Sequence, residues 1–174
     1  MILPSSFRDS AGFVFSHEGT LYRQVNKSFQ DHFDHFLHSG LCETLVERQL
    51  LIPHEIVAIP PEDPVSAYKI IRPFPIPFIS YPYEWSFSQL KDAALLTLEI
   101  QKISLEYGMV LKDATAYNVQ FFRGQPIFID TLSFEKYQPG TPWIAYRQFC
   151  QQFLCPLALM HYTDIRLGQL LRTY

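Results

Sequence analysis

Two stretches decide the fold of this chain: Leu111-Lys112-Asp113-Ala114-Thr115-Ala116-Tyr117-Asn118 and, after a short gap, Pro126-Ile127-Phe128-Ile129-Asp130. Between them, the apolar runs 119–122 and 126–129 flank Arg123-Gly124-Gln125, a pattern that predicts two short strands joined by a turn. Such a hairpin would carry Asn118 at its entry and Asp130 at its exit. The pattern therefore predicts that two oxygen-bearing side chains meet at one end of the hairpin.

The segment before this loop predicts a long helix over residues 86–107. Ser86 and Gln89 are spaced as a capping box, and Gly108 is a typical stop signal. Earlier in the chain, residues 12–25 predict a hairpin, Ser28 marks the start of a helix, residues 41–51 predict a second helix ended by Pro53, and residues 67–71 predict a strand. A long helix, a polar loop, a hairpin and an aspartate thus follow one another in the second half.

Several segments carry a family resemblance, and together they cover most of the chain: residues 6–9, 51–55, 79–92, 111–118, 128–135 and 143–149. Over these segments the chain resembles the kinase-like (aminoglycoside-phosphotransferase-type) module at the start of bacterial proteins that are related to nodulation proteins and described as S-adenosylmethionine-dependent methyltransferases. The resemblance implies an α+β, protein-kinase-like fold. Its expected parts are a reduced N-terminal lobe, residues 1–79, and a helical C-terminal lobe, residues 80–174, that is truncated relative to kinase-like large lobes.

The same resemblance implies a set of site residues around magnesium and ATP. Asp113 would be the catalytic base or would orient the acceptor hydroxyl, and Asn118 and Asp130 would be the magnesium ligands. The linker between the lobes would present backbone groups of Ser80 and Tyr81 to adenine. Arg23, on an early strand, would stand in for the phosphate-binding lysine.

Each of these residues also has a structural explanation that needs no ligand. Arg23 is better explained as a solvated strand cation, although Glu43 or Glu47 on a following helix could pair with it. Asp113 and Asn118 could form a turn that only caps backbone hydrogen bonds. The histidines at 32, 35 and 38 are better explained by a solvated helix face than by a metal site.

Departures from active kinases lower the expected turnover. Leu111 stands two positions before Asp113, where kinases usually have a basic or imidazole residue, and Asp130 is followed by Thr131-Leu132 instead of Phe-Gly. No two of the seven glycines are two positions apart, so a glycine-rich phosphate loop is missing. Because phosphoryl transfer depends on positioning and charge neutralisation, weak phosphate handling predicts slow or absent transfer.

Composition limits the remaining choices. With 174 residues, 48% of them hydrophobic and 18% charged, the chain can bury a core as one domain or two small lobes. The net charge of −3 without a basic cluster predicts no nucleic-acid partner. Three cysteines without a C-x-x-C pair favour a reducing, cytoplasmic compartment, and no apolar run predicts membrane insertion.

Two functions of different classes survive these limits. The first is a weakly catalytic or non-catalytic module that binds a nucleotide or a partner and serves a methyltransferase domain or protein. The second is a magnesium- and ATP-dependent phosphotransferase acting on a small molecule. Methyl transfer by this chain itself is not predicted, since no acidic residue accompanies a glycine-rich turn suited to S-adenosylmethionine.

Overall fold

The computed structural model describes residues 10–172. The resemblance at residues 6–9 lies outside this range, as do the outer ends of the two expected lobes. The first half contains a four-stranded sheet of order β1-β2-β4-β3 in which all neighbouring strands are antiparallel. Its strands are β1 (Gly12–His17), β2 (Thr20–Asn26), β3 (His54–Val57) and β4 (Ala67–Pro73).

The β1–β2 hairpin confirms the predicted pair of strands, with Gly12 opposite Val25 and a turn at Glu18 and Gly19. Gly12 has no space for a side chain. A Cβ atom there would lie 2.0 Å from the carbonyl oxygen of Gln24 and 2.8 Å from Cδ1 of Leu132. Glycine therefore lets β1 approach both its partner strand and the turn that follows Asp130.

Two helices, α1 (Gln30–His38) and α2 (Leu41–Glu47), separate β2 from β3. Helix α1 begins two residues after the predicted start at Ser28: a 3-10 turn at Lys27–Phe29 precedes it, and the Ser28 hydroxyl donates to the carbonyl of Ser10 at 2.8 Å. The second helix also ends earlier than predicted, at Glu47 rather than before Pro53.

The early end of α2 has a tertiary cause in the residues that follow it. The N–H of Ile52 donates to the carbonyl of Phe128 at 2.8 Å, and the N–H of Phe128 donates to the carbonyl of Leu50 at 2.9 Å. These bonds require an extended backbone, which the apolar period of this segment does not reveal. Long-range pairing thus overrides local helical preference.

The second half begins with α3 (Phe87–Glu106), whose boundaries confirm the predicted helix. The Ser86 side chain accepts from the Gln89 N–H, and the Gln89 side chain accepts from the Ser86 N–H, as in a capping box. The predicted hairpin is also confirmed by the antiparallel strands β6 (Val119–Phe122) and β7 (Gln125–Phe128). The strands of this half are β5 (Met109–Leu111), β6 (Val119–Phe122), β7 (Gln125–Phe128) and β8 (Phe134–Lys136), with β5 pairing to β8.

The chain continues through α4 (Tyr146–Phe149), a π-helical turn (Cys150–Leu154), α5 (Cys155–Tyr162) and a 3-10 segment (Ile165–Arg172). Between residues 10 and 172, no helix combines the length and hydropathy needed to cross a bilayer.

One hydrophobic core runs through both halves of the chain. Phe36 of α1 stacks on Phe134 of β8 with ring centroids 4.7 Å apart, and Phe134 in turn meets Phe128 at 5.9 Å. The sheet and the helical half therefore share their interior, and the polar loop 112–118 lies where they meet.

Candidate functional site

The loop after β5 is held by hydrogen bonds from three directions. Asp113 Oδ1 accepts from the N–H of Thr115 at 3.0 Å, so this carboxylate does cap its own turn. The N–H of Ala114 donates to Gln148 Oε1 of α4 at 2.6 Å. The N–H of Lys112 donates to the carbonyl of Ser133 at 2.8 Å. The backbone around Asp113 is thereby fixed between α4 and the turn before β8.

Asn118 and Asp130 lie in adjoining segments at the same end of the β6–β7 hairpin. The Asn118 carbonyl accepts from the N–H of Ile129 at 2.8 Å, which places the residue before Asp130 directly against Asn118. The Asn118 amide nitrogen donates to Ser133 Oγ at 3.1 Å, and Asp130 Oδ1 accepts from the Leu132 N–H at 2.9 Å.

Arg23 reaches this group from β2 and forms an ion pair with Asp130. The side chains of the two partners are only 13% and 15% exposed, so the pair is shielded from water on most sides. Glu43 and Glu47, the partners expected for Arg23, are exposed on α2 instead. The arginine expected near the phosphates therefore joins the four-stranded sheet to the carboxylate expected to bind metal.

The fit of this site to magnesium is partial. The oxygen atoms of Asp130 and Asn118 are the hard donors that magnesium prefers. However, no group of three or more histidine, cysteine, aspartate or glutamate residues in the described chain is arranged to hold a metal. The guanidinium of Arg23 also supplies positive charge at Asp130, which a cation would have to replace.

Two of the three histidines considered for a separate metal site on α1 have contacts within the protein. His32 accepts the Lys136 N–H at 3.0 Å, and His35 Nε2 lies 3.0 Å from the Tyr107 carbonyl.

The linker residues expected to meet adenine have their backbone groups engaged within the protein. Gln120 spans Ser80, because its Oε1 accepts the Ser80 N–H at 3.0 Å while its Nε2 donates to the Ser80 carbonyl at 3.0 Å. At Tyr81, the N–H donates to Glu84 Oε2 at 2.8 Å and the carbonyl accepts from the Glu84 N–H at 2.8 Å. A base that used these groups would first have to displace both partners.

Aromatic rings and the 3-10 segment close the side of the site next to the linker. The rings of Tyr81 and Tyr83 are parallel to within 3° with centroids 5.5 Å apart, and the Arg172 guanidinium lies 4.8 Å from the Tyr83 ring centre. The Tyr117 hydroxyl donates to the Leu171 carbonyl at 3.0 Å. The loop that bears Asp113 and Asn118 is thus tied to the last described segment of the chain.

Sequence reasoning missed Gln120, Gln148 and Ser133, which position the predicted residues. Gln120 did leave a signal, since it is a polar residue within an otherwise apolar strand, and it is 4% exposed. Gln148 had no such signal because its partner, Ala114, is remote in sequence.

Cys42 is a poor nucleophile. Burial raises the pKa of its thiol to about 11, with a smaller contribution from Glu43.

Comparison of the sequence with known proteins finds a named relative. No family model matches the chain. The chain is 38% identical over 167 residues, 92% of its length, to the nodulation protein NoeA of Rhizobium meliloti (strain 1021). It is related to a nodulation protein. The relationship predicted from the sequence is therefore confirmed at this level, and the kinase-like character remains a prediction. The chain spans 34% of the length of NoeA, about a third of that relative.

Proposed function

We propose that this chain is a kinase-like module that binds a nucleotide or a protein partner, transfers phosphoryl groups slowly or not at all, and serves a methyltransferase system in the bacterial cytoplasm. The observation that carries the proposal is the Arg23–Asp130 ion pair, which lies beside Asn118 at the junction of the two halves. The pair places a guanidinium and a carboxylate next to the segment that bears Asn118, and such charged and polar groups can form strong hydrogen bonds with a charged ligand. The order of α3, β5, the polar loop, the β6–β7 hairpin and Asp130 supports the kinase-like part.

Slow transfer is proposed because the groups that a phosphotransferase needs are already engaged or missing. Asp130 is paired with Arg23, and the backbone of Ser80 is bound by Gln120. The β1–β2 turn, which would cover the phosphates, has a single glycine, Gly19. Catalysis of phosphoryl transfer consists mainly of placing the phosphates and stabilising their charge, and this arrangement favours neither.

The association with methyl transfer rests on the family resemblance. The name of the relative describes a nodulation protein and goes no further. The methyltransferase would be a separate domain or protein, and the present chain would supply binding.

The first test is a thermal-shift titration with magnesium and adenine or guanine nucleotides. A nucleotide that binds only the folded state raises the melting temperature by an amount set by its concentration relative to its dissociation constant. We expect a magnesium-dependent rise for the wild type and for Asp113→Asn, whose proposed role is in chemistry. Asp130→Asn should abolish the rise because it removes the charged oxygen ligand.

The matched control is Asp164→Asn, since Asp164 also pairs with an arginine, Arg166, but is remote from the loop in sequence. It should keep the magnesium-dependent rise even if its baseline melting temperature falls. A wild type without the rise, or an Asp130→Asn variant that rises equally, would refute the metal-nucleotide site and leave partner binding. Rapid transfer to a small hydroxylated acceptor, abolished by Asp113→Asn, would establish the phosphotransferase instead.

A further inference from the structure

The Arg23–Asp130 ion pair joins two elements that are far apart in the chain. Arg23 lies on β2, opposite Ile71 of β4, whereas Asp130 follows β7. Nη1 of Arg23 contacts Oδ1 of Asp130, the same oxygen that accepts the N–H of Leu132 at 2.9 Å. The carbonyl of Asp130 accepts from the N–H of Ser133 at 3.3 Å. The turn after Asp130 is therefore held by its own hydrogen bonds, and the guanidinium reaches it from the four-stranded sheet.

Burial distinguishes this pair from a salt bridge at the surface. The side chains of Arg23 and Asp130 are 13% and 15% exposed. Water screens charges weakly at such a site, so the guanidinium attracts the carboxylate strongly and repels a second cation strongly. Removing one member of a buried pair leaves the other charge without compensation. A guanidinium and a divalent cation therefore compete for Asp130.

The chemistry of the guanidinium indicates what resolves this competition. Arginine binds carboxylates and phosphates with the same planar set of N–H donors. We infer that Arg23 closes Asp130 to a free divalent cation and opens it when the phosphates of a nucleotide take the guanidinium. In this exchange Arg23 passes from the carboxylate to a phosphate, and Asp130 passes from the guanidinium to the cation, so that each charge keeps a partner. The inference rests on the magnesium ligand proposed at Asp130 and adds the condition under which that ligand becomes available.

The second proposed ligand is held independently of this exchange. The amide nitrogen of Asn118 donates to Ser133 Oγ at 3.1 Å, and its carbonyl accepts from the N–H of Ile129 at 2.8 Å. Neither bond involves Arg23. A substitution at Arg23 therefore changes the charge at Asp130 while the contacts that hold Asn118 remain.

The test is thermal unfolding of the whole chain with magnesium chloride alone, compared with potassium chloride at equal ionic strength. The wild type should show no magnesium-specific rise in melting temperature. Arg23→Gln should start from a lower melting temperature, because Asp130 loses its partner, and should gain a magnesium-specific rise. That rise should be roughly 3–6 °C at about ten times the dissociation constant for magnesium. Arg23→Lys keeps the positive charge and should behave as the wild type does.

The matched control is Arg72→Gln. Arg72 of β4 also pairs with a carboxylate, that of Glu55 at 2.6 Å, but the two side chains are 47% and 68% exposed. Water screens the released Glu55, so this variant should gain no magnesium-specific rise. Adding Asp130→Asn to Arg23→Gln should erase the rise of the single variant, which locates the cation at Asp130. Arg23→Met, which is long and uncharged, replaces Arg23→Gln if the latter does not fold.

The outcomes separate this inference from the proposed function. A wild type that magnesium alone stabilises, or a folded variant without the Arg23 charge that magnesium leaves unchanged, would overturn the closure of Asp130 by Arg23. A nucleotide-dependent rise in the wild type would then still support the nucleotide site. Conversely, a metal-only rise in Arg23→Gln without a nucleotide-dependent rise in the wild type would support the closure and refute the nucleotide as the ligand that opens it.

Discussion

Three buried or partly buried glutamines hold the backbone around the candidate site. Gln101 of α3 accepts the N–H of Leu111 at 2.8 Å, Gln148 accepts that of Ala114 at 2.6 Å, and Gln120 engages Ser80 on both sides. Each amide satisfies a peptide group that no strand or helix pairs. Removal of such a partner leaves a polar group without its bond in a dry environment, which costs more than the bond itself contributes.

We predict that Gln148→Ala lowers the free energy of unfolding by about 1–3 kcal/mol, because the Ala114 N–H loses its acceptor. Gln151→Ala is the matched control, since Gln151 is exposed on the adjacent π-helical turn and should change stability little. Urea unfolding of both variants measures the difference. Equal stabilities would show that Gln148 does not support the loop.

The residues of the site divide into those that sequence could predict and those that it could not. Asn118 and Asp130 were expected at one end of a hairpin because a local glycine turn sets that geometry. Glu43 and Glu47 on the following helix were the expected partners of Arg23, whereas the structure pairs it with Asp130, which is distant in sequence. Contacts of this kind depend on the packing of whole elements.

Gly12 lets strand β1 lie close to two neighbours, the backbone of Gln24 and the side chain of Leu132. The space that a side chain would need is filled by the backbone of Gln24 and by Leu132. Since Leu132 follows Asp130 closely, the position of this edge strand is coupled to the position of the candidate site.

We predict that Gly12→Ala lowers the free energy of unfolding by about 3 kcal/mol, the upper range for overpacking, because the Gln24 carbonyl cannot retreat without disturbing the β1–β2 pairing. Gly19→Ala provides a control with a different cause. Gly19 has φ +78° and open space around it, so its substitution should cost only the left-handed backbone strain, about 1–2 kcal/mol. Denaturant unfolding of the two variants tests the order, and a larger loss for Gly19→Ala would contradict the packing argument.

The elements predicted well are those with strong local signals. Helix α3 has a capping box and a terminal glycine, and both hairpins have glycine turns. The short strands β3, β5 and β8 were not predicted because three or four residues carry little period of their own. The strands β5 and β8 pair with each other across an intervening hairpin, with Met109 opposite Lys136.

The two halves of the chain behave as one structural unit in their contacts. Residues 50–52 supply hydrogen bonds to β7, and α1 stacks Phe36 on Phe134. The boundary at residues 79 and 80 therefore does not divide the core, which takes residues from both sides of it.

We predict a single cooperative unfolding transition for the whole chain, with equal calorimetric and van't Hoff enthalpies. A fragment of residues 80–172 should not fold alone, because Phe128 and Phe134 would lose their partners from the first half. Scanning calorimetry of the chain and circular dichroism of the fragment check both statements. Two resolved transitions, or a folded fragment, would show that the halves are independent domains.

The Gln120 contact with Ser80 also sets the population of binding-competent molecules. If its two hydrogen bonds contribute about 2 kcal/mol net, the linker is open in roughly one molecule in thirty. The apparent dissociation constant of a base that needs the Ser80 peptide is its intrinsic value divided by that open fraction. Such a ligand binds about thirtyfold more weakly than its own contacts would allow. Modest nucleotide occupancy would then reflect the rarity of the open conformer rather than a defect in the pocket.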